Sequence, residues 1–259
     1  MSVLILRLAA PLQSWAVTGK HSRRTSLPYP SKSGVVGLLA AACGIPRDAP
    51  CSPTTGVTFA ELAALRLAVR VDRPGEALTD YHTVSGASHS PTDPDQQRLP
   101  TADGGRLPVE KSTKATRRQY RSDAAYTAYL DGNPHLLHRA AQALRRPRYP
   151  LYLGRRSCPP GKPVLIALDN EADLDHALRT TPWQATDRDL ARHLARGHTH
   201  VTLETVTEDQ TGPESLPDQP DPTAPPYRPR YIERRIRHGH ITLPLAPDTT
   251  AHAPFELLG

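Results

Sequence analysis

Residues 31–45 constrain the fold of this 259-residue chain most, because they predict a capped helix with one apolar side. Ser31 and Ser33 are both good N-cap residues, whose side chains accept hydrogen bonds from the free N–H groups of a first turn. Apolar residues then recur at helical spacing, at Val35, Leu38, Leu39 and Ala42. The apolar run is about half of the roughly 20 residues that a bilayer requires. The pattern predicts a helix over residues 33–43 that packs on a sheet and does not span a membrane.

The amino-terminus of this helix has the features of an exposed anion site. Lys32 adds a positive charge, Gly34 permits close backbone approach, and the helix dipole favours a phosphate beside Ser33. A strand is predicted at residues 3–8, and the loop that follows it carries Gln13, Trp15, Lys20, His21, Arg23 and Arg24. Strand, loop and helix end together predict contact with a nucleic-acid backbone. The alternative is a helix that only buries its apolar side, and the two interpretations are compatible.

The charge balance suits an anionic partner without naming it. Lys and Arg number 32 against 26 Asp and Glu, so the formal net charge is +6 and the pI about 9.4. Cys43, Cys51 and Cys158 show no paired spacing, which indicates reduced thiols in a cytosolic protein. The first residues contain no basic segment followed by a long apolar one, so we expect a cytoplasmic protein that does not associate with membranes.

The order of the predicted elements indicates an α+β, ferredoxin-like fold. Apolar residues alternate strictly over residues 65–71, at positions 65, 67, 69 and 71, which predicts a half-buried strand. Further strands are predicted at residues 124–130, 164–168 and 201–206, and helices at residues 59–65, 134–145 and 187–196. A β-α-β unit followed by a second β-α unit and a strand matches the split βαβ sheet of that fold.

Residues 79–121 predict a β-hairpin arm that projects from the sheet. Two regular flanks, residues 81–84 and 111–121, enclose a polar stretch that is poor in large apolar side chains. The return flank carries five positive charges in eleven residues, with one tyrosine among them: Lys111, Lys114, Arg117, Arg118, Tyr120 and Arg121. Basic residues interleaved with an aromatic one are typical of sites for unstacked single strands. The alternative is a disordered, solvated loop, which is favoured for residues 91–105.

Two more segments combine arginine with tyrosine. In residues 145–157, cations at a helix carboxyl end explain Arg145 and Arg146. They do not explain the loop residues Arg148, Tyr149, Tyr152, Arg155 and Arg156, which we predict to contact phosphates. Residues 228–237 are rich in arginine around Tyr231, although such a run is more often a solvated face. Residues 210–226 between them are acidic and Pro-rich, which predicts a surface loop.

No metal site and no cofactor are predicted. His193, His198 and His200 lie close in sequence, but no Cys pair or carboxylate stands at a familiar ligand spacing. With twelve histidines in the chain, clusters of this kind arise easily by chance.

The candidate catalytic set is Tyr81, His82 and Lys111 at the base of the arm. These groups offer general acid–base chemistry for metal-free cleavage of RNA beside a 2′-hydroxyl. They equally suit stacking on bound RNA and neutralising its phosphates, and the sequence leaves both interpretations open.

Four segments carry a specific sequence pattern. They are residues 6–15 (Leu-Arg-Leu-Ala-Ala-Pro-Leu-Gln-Ser-Trp), residues 30–39 (Pro-Ser-Lys-Ser-Gly-Val-Val-Gly-Leu-Leu), residues 80–84 (Asp-Tyr-His-Thr-Val) and residues 148–159 (Arg-Tyr-Pro-Leu-Tyr-Leu-Gly-Arg-Arg-Ser-Cys-Pro). Together they resemble the CasD family, which is CRISPR-associated protein five of subtype E and a subunit of type I-E Cascade complexes. The likeness runs in order from residue 3 to about residue 160 and thins beyond it. Residues 210–226 resemble an insertion relative to the family.

The resemblance implies a domain organisation and a set of partners. Residues 1–160 are expected to form a ferredoxin-like (RRM/RAMP) domain with a β-hairpin thumb at about 79–121, and residues 161–259 a smaller, β-rich part. The implied ligand is the 5′ handle of a mature CRISPR RNA, at one end of a backbone of CasC subunits. The resemblance also implies contact with the large subunit CasA, and with target DNA indirectly through the complex, in antiviral defence.

The resemblance favours a binding role over catalysis. Within type I-E, repeat cleavage belongs to the separate subunit CasE, so a non-catalytic subunit is implied. A related subtype uses its version of this subunit as the processing ribonuclease, with Tyr, His and Lys, which keeps Tyr81, His82 and Lys111 as an alternative. A general single-strand RNA-binding protein is a third interpretation, and it would need no partners and show little sequence preference.

Overall fold

The computed structural model describes residues 2–16, 19–20, 22–85, 101–105, 107, 113–224 and 229–245, which form two β-sheets and several helices. In chain order the elements are β1 (Val3–Ala9), β2 (Leu12–Gln13), β3 (Gly19–Lys20), β4 (Arg23–Arg24), α1 (Lys32–Cys43), α2 (Phe59–Ala64), β5 (Arg66–Arg73), β6 (Glu76–Ser85), β7 (Thr113–Ser122), β8 (Ala125–Asp131), α3 (Pro134–Arg145), β9 (Leu165–Asp169), α4 (Leu174–Thr180), α5 (Asp187–Ala195), β10 (His200–Glu208), β11 (Glu214–Pro220) and β12 (Tyr231–Pro244). The main sheet has the order β11-β12-β10-β5-β8-β1-β9.

Four strands of the main sheet form a ferredoxin-like core. Their order is β9-β1-β8-β5, and each neighbouring pair is antiparallel. With α1 and α3 as crossovers, the chain runs β1-α1-β5-β8-α3-β9, which is the split βαβ arrangement. The predicted α+β, ferredoxin-like class is therefore confirmed.

Strand β1 buries side chains on both faces of the sheet. Leu4, Leu6 and Leu8 belong to the core under α1 and α3, whereas Val3 and Ile5 belong to a second core that includes α4. Successive side chains of a strand point to opposite faces, so a strand covered on both sides favours apolar residues at consecutive positions, here residues 3–6. This double burial explains the continuous apolar run at the start of the chain.

The helices begin and end where their capping residues place them. The Ser31 side chain accepts a hydrogen bond from the Gly34 N–H at 3.3 Å at the start of α1, and Gly44, with φ 74°, ends it. Helix α3 has the predicted bounds, with Asn133 as N-cap and Pro134 in its first turn. None of the helices in the described ranges is long and apolar enough to cross a membrane.

The C-terminal strands extend the main sheet. Strand β10 pairs antiparallel with β5, and β12 and β11 follow outward in that order. The domain division at residue 160 stays a prediction. The main sheet combines strands from both sides of this boundary, because β9, β10, β11 and β12 all follow residue 160 in the sequence.

The surface loop predicted at residues 210–226 is wrong for its central part, which forms the edge strand β11. Its prolines are tolerated because an edge strand needs only one row of hydrogen bonds. The register with β12 also shifts between Leu216 and Gln219, around Pro217. Asp218 in this irregular stretch is fully buried, so an acidic residue contributes to the interior.

The predicted flanks of the arm pair with each other as β6 and β7, which we call the thumb. Their antiparallel register runs unbroken from Glu76 opposite Ser122 to Ser85 opposite Thr113. Strands β2 and β4 pair with β7 as well. Most of residues 91–105, predicted to be disordered, lie outside the described residues. Within residues 101–105, the Thr101 N–H donates to the Gly105 carbonyl at 2.9 Å.

The three cysteines are unpaired, as the sequence predicts. Cys43 and Cys158 are buried and Cys51 is exposed. Burial raises the pKa of the Cys43 thiol to about 11, so this thiol stays protonated at neutral pH.

Candidate nucleic-acid interface

Three neighbouring strands place exposed tyrosine and arginine side chains in one row across the thumb. Tyr81 of β6 lies opposite Arg117 of β7, and Arg117 lies opposite Arg23 of β4. Residues in register on neighbouring strands project from the same face of a sheet. All three side chains are exposed, Tyr81 to 61%. We call Tyr81, Arg117 and Arg23 the thumb row, and it presents one aromatic ring and two guanidinium groups.

The next positions form a second row that points to the opposite face. Asp80 of β6 lies opposite Arg118 of β7, which lies opposite Arg24 of β4. His82 is on this face too, and its Nε2 contacts the Asp80 carboxylate. Arg118 Nε is buried and has no hydrogen-bond partner among the residues that the structure describes.

Two members of the candidate catalytic set therefore point away from each other. Tyr81 and His82 are adjacent on β6, so their side chains project from opposite faces. A general acid and a general base for one 2′-hydroxyl must both come within hydrogen-bond reach of it. Lys111, the third member, lies outside the described residues, as does the side chain of Lys114.

Tyr120, predicted as a stacking platform for RNA, is only 4% exposed because Arg155 covers it. The guanidinium carbon of Arg155 lies 4.7 Å from the centroid of the Tyr120 ring, a cation–π contact. The same guanidinium donates hydrogen bonds to the carbonyls of Gln119 at 3.1 Å and Arg24 at 3.2 Å. The structure corrects the assignment of Tyr120, whose ring packs inside the protein, and Arg155 ties the loop at 148–158 to the thumb.

A groove of about 1390 Å³ lies above α1 and collects residues from distant parts of the sequence. Its lining includes Ser33 and the small residues Gly37, Ala40 and Ala41 of α1. The larger side chains that line it include Tyr149, Tyr152, Arg156, Arg230 and Tyr231. The second and third arginine–tyrosine clusters of the sequence thus meet in one groove. Arg148 is exposed at the carboxyl end of α1, where its side chain lies next to Gly44.

Arg230 and Tyr231 line the groove although the sequence did not predict a binding role for them. The run at 228–237 contains them, but its more frequent interpretation is a solvated face. Tyr231 is 47% exposed, and Arg230 pairs with Asp221 at 3.1 Å. Only the pairing of β11 with β12 next to α1 brings this segment to the groove, and no local sequence signal reports that pairing.

The exposed anion site predicted at the start of α1 is filled by the protein itself. Lys32 is 2% exposed, and its Nζ pairs with a Glu208 carboxylate oxygen at 2.9 Å. The Asp218 carboxylate accepts a hydrogen bond from the Lys32 N–H at 2.7 Å and pairs with Arg234 at 2.8 Å. Burial lowers the pKa of Lys32, and Glu208 counteracts part of that effect. The prediction of an exposed helix end is wrong, because two internal carboxylates occupy it.

Gln13, Trp15 and Gly34, also predicted to contact RNA, hold the interior together. The Trp15 indole is fully buried, and its Nε1 donates to Gln13 Oε1 at 3.1 Å. Gln13 Nε2 in turn donates to the carbonyls of Leu8 at 3.0 Å and Ala124 at 2.7 Å. A Cβ at Gly34 would lie 2.8 Å from the Trp15 ring, so the close approach that Gly34 permits is that of an indole. The structure corrects all three assignments.

The histidines separate into a contacting pair and a third that stands apart. His193 and His198 contact each other, whereas His200 contacts Thr199. In the part of the chain that the structure describes, no three His, Cys, Asp or Glu side chains cluster as metal ligands.

Comparison with known proteins identifies the family. Residues 3–244 match the model of a family described as CRISPR-associated protein (Cas_Cas5). The chain belongs to this Cas5 family. It is 34% identical over 188 residues to CasD, a subunit of the CRISPR system Cascade of Escherichia coli strain K12, which covers 68% of this chain and 75% of CasD. The resemblance carried by residues 6–15, 30–39, 80–84 and 148–159 is confirmed.

Two solved structures share the fold of this Cas5 family member. One belongs to a CRISPR RNA-guided surveillance complex, with a TM-score of 0.72 and 31% identity over 93% of this chain and 91% of that chain. The other is the crystal structure of a Cas protein, with a TM-score of 0.62 and 31% identity over 92% of this chain and 94% of that chain. Each match extends well beyond residue 160, so the C-terminal strands are part of the shared fold.

Proposed function

We propose that this Cas5 family member is a non-catalytic RNA-binding subunit of a type I-E Cascade complex. In this role it holds the 5′ handle of the CRISPR RNA and caps a backbone of CasC subunits. Its similarity to CasD supports membership of the complex. The observation that carries the RNA assignment is the thumb row, in which Tyr81, Arg117 and Arg23 are exposed side by side.

The chemistry of the thumb row suits a single strand. One guanidinium group can donate two parallel hydrogen bonds to the oxygens of one phosphate, and an exposed aromatic ring stacks on an unpaired base of any identity. Arg117 and Arg23 therefore bind the backbone of the handle while Tyr81 stacks on one of its bases. Arg24 and Arg118 on the other face allow a bent strand to wrap around the thumb.

The groove above α1 extends the proposed RNA-binding surface beyond the thumb row. Arg155 anchors its loop against the thumb, and the loop continues with Arg156, which lines the groove together with Tyr149 and Tyr152. Arg148 at the start of the loop adds another exposed cation. A strand that leaves the thumb thus meets tyrosine and arginine side chains again.

The geometry of β6 supports binding without cleavage. The alternative function, a metal-independent endoribonuclease, needs Tyr81, His82 and Lys111 around one phosphodiester. Tyr81 and His82 project from opposite faces of β6, and His82 is engaged with Asp80. Purified chain mixed with its own repeat RNA and no metal should therefore leave the RNA intact. Specific cleavage that His82→Ala abolishes would overturn the non-catalytic assignment.

The partners belong to the same proposal. We expect contacts with CasC and CasA, and with target DNA only through the assembled complex. A general single-strand RNA-binding protein would instead act alone. Co-expression with CasC and CRISPR RNA should raise the melting temperature of the chain, because a ligand that binds only the folded state stabilises it. Equal melting temperatures with and without them would contradict the assembly role.

The thumb row is tested by neutralising its arginines in the complete chain. We expect Arg117→Gln and Arg23→Gln each to weaken binding of handle RNA for any handle sequence. The slope of log K against log salt is negative, and each variant should reduce its magnitude by about 0.7, the value for one phosphate contact on a single strand. Arg179→Gln is the matched control, because Arg179 is an exposed arginine of α4 that pairs with Asp175. Unchanged salt slopes for both thumb variants would contradict the proposal.

A further inference from the structure

Two histidines meet at the carboxyl end of α5, and the proposed RNA surface uses neither of them. The Nδ1 atoms of His193 and His198 are 3.2 Å apart. The rings meet edge to face, with centroids 5.3 Å apart. His198 is exposed and His193 is half-buried, so solvent reaches the pair. The contact is a hydrogen bond, in which one Nδ1 donates and the other accepts according to the tautomers of the rings. Both Nδ1 atoms can be metal ligands when each ring is neutral and carries its proton on Nε2.

The turn that ends α5 fixes this pair. Gly197 has φ 75°, and its N–H donates to the Leu194 carbonyl at 2.9 Å. The His198 N–H donates to the His193 carbonyl at 3.2 Å. These two hydrogen bonds define a Schellman motif, in which residues 193 and 198 occupy the two positions whose side chains touch. That contact is frequently apolar in such motifs, and here it consists of two imidazoles.

A tryptophan holds His193 from another side. The Trp183 ring meets the His193 ring at an interplanar angle of 82°, with centroids 5.2 Å apart. Trp183 is itself fixed, because its Nε1 donates to the Asp72 carbonyl at 2.8 Å. The His193 ring is therefore confined between Trp183 and His198, which reduces the entropy that a ligand would have to remove.

We propose that His193 and His198 chelate a divalent transition-metal ion, such as Zn²⁺, Ni²⁺ or Cu²⁺, through their two Nδ1 atoms. Metal–nitrogen bonds of about 2.0–2.1 Å separate the two nitrogens by roughly 3.3–3.4 Å at the tetrahedral angle of Zn²⁺, and by roughly 2.8–3.0 Å at the right angle of tetragonal Cu²⁺ or Ni²⁺. The observed separation is 3.2 Å, so the turn presents the two ligands with almost no movement. Water or a group from another molecule completes the coordination, and the ion exchanges freely.

The test uses Cu²⁺, which binds nitrogen ligands most tightly in the Irving–Williams order. The complete chain is titrated with CuCl₂ at pH 7.5 while its tryptophan fluorescence is recorded. Because Trp183 lies against His193, binding at this site should quench its emission, and Trp183→Phe should remove the quenched signal. His193→Asn and His198→Asn should each weaken binding at least about tenfold, since loss of even an outer-shell partner costs that much.

Two controls make the result decisive. His176→Asn, at an exposed histidine of α4, should keep the affinity of the natural chain. His198→Asn should keep the unfolding midpoint, because the two hydrogen bonds of the Schellman motif use only the backbone of residue 198 and its side chain is exposed. Equal Cu²⁺ affinity in the natural chain, His193→Asn and His198→Asn would overturn the proposal, as would binding without quenching of Trp183.

Discussion

Lys32 carries a positive charge into the interior of the protein, where two acidic residues of distant strands balance it. Its Nζ pairs with Glu208 of β10, and its N–H donates to Asp218 of β11. Arg234 of β12 completes the group by pairing with Asp218. A buried charge without a partner costs several kcal/mol, so each member depends on the others. The cluster connects the first turn of α1 to the C-terminal half of the main sheet.

Lys32→Ala should therefore act on stability and not on RNA. We expect the free energy of unfolding to fall by about 1–3 kcal/mol, because Glu208 loses its closest cation while remaining mostly buried. The salt slope of RNA binding should not change. Urea unfolding measures the first quantity, with Lys162→Ala, an exposed lysine, as control. A lower salt slope with unchanged stability would restore the interpretation of an exposed phosphate site.

The limits of sequence reasoning at this scale are physical. The residues around Lys32 predict correctly that the first turn of α1 attracts an anion. Phosphate and carboxylate satisfy the same N–H groups and the same ammonium group. Choosing between them requires knowing that Asp218, 186 residues away, reaches Lys32, and that depends on strand pairing.

At the scale of elements, the thumb gains its chemistry from the alternation of side chains along β6 and β7. A strand separates neighbouring residues onto two faces, so the sequence Asp-Tyr-His at 80–82 serves both faces at once. The Tyr81 face carries Arg117 and Arg23, and the His82 face carries Asp80 together with Arg118 and Arg24. One face is thus cationic and aromatic, while the other combines its arginines with a carboxylate.

Substitutions on the two faces should have different effects. Tyr81→Ala should weaken binding of handle RNA by roughly 1–3 kcal/mol, the value of one base–aromatic stack, and Tyr81→Phe should retain most of the binding. His82→Ala should change binding little, because the Asp80 carboxylate already engages the His82 ring, and Arg24 and Arg118 supply the cations of that face. RNA affinities of the three variants at one salt concentration measure these differences. Equal losses for Tyr81→Ala and His82→Ala would mean that both faces contact the ligand equally.

Elements with strong local patterns were predictable, and elements defined by their neighbours were not. Helix α3 matches its prediction because an N-cap, a proline in the first turn and a regular apolar stripe all agree. Strand β11 was missed because its prolines resemble a loop, and only its edge position permits them. Strand β12 was also missed. Its arginine-rich first half alternates between exposed Arg235 and Arg237 and buried Arg234 and Ile236, and a buried arginine conceals that alternation.

At the scale of the whole molecule, one sheet unites the two halves of the sequence. Strand β10 continues the ferredoxin-like core at β5, with Glu204 opposite Val71 and Val206 opposite Val69. The Lys32 cluster, which consists of Lys32, Glu208, Asp218 and Arg234, joins the same halves a second time, through α1. Two connections of this kind, one through strand pairing and one ionic, favour a single cooperative unit over independent domains.

Unfolding of the complete chain should therefore show one transition. In Trp183→Phe the fluorescence reports on Trp15 in the core under α1, whereas far-UV circular dichroism reports on every helix and strand. We expect the two signals to change at the same urea concentration. An earlier transition in circular dichroism than in Trp15 fluorescence would indicate that the C-terminal strands unfold alone, and it would support a domain boundary at residue 160.

The Lys32 cluster has a consequence for synthesis on the ribosome. Glu208 leaves the exit tunnel 176 residues after Lys32, which at roughly 5–20 residues per second is a delay of roughly 9–35 seconds. The ferredoxin-like core is complete in sequence when β9 emerges, yet the charge at the start of α1 still has no counterpart. We therefore expect the first turn of α1 to reach its final packing only after β10 and β11 have been synthesised. Truncated products released during that interval would be natural clients for chaperones and proteases.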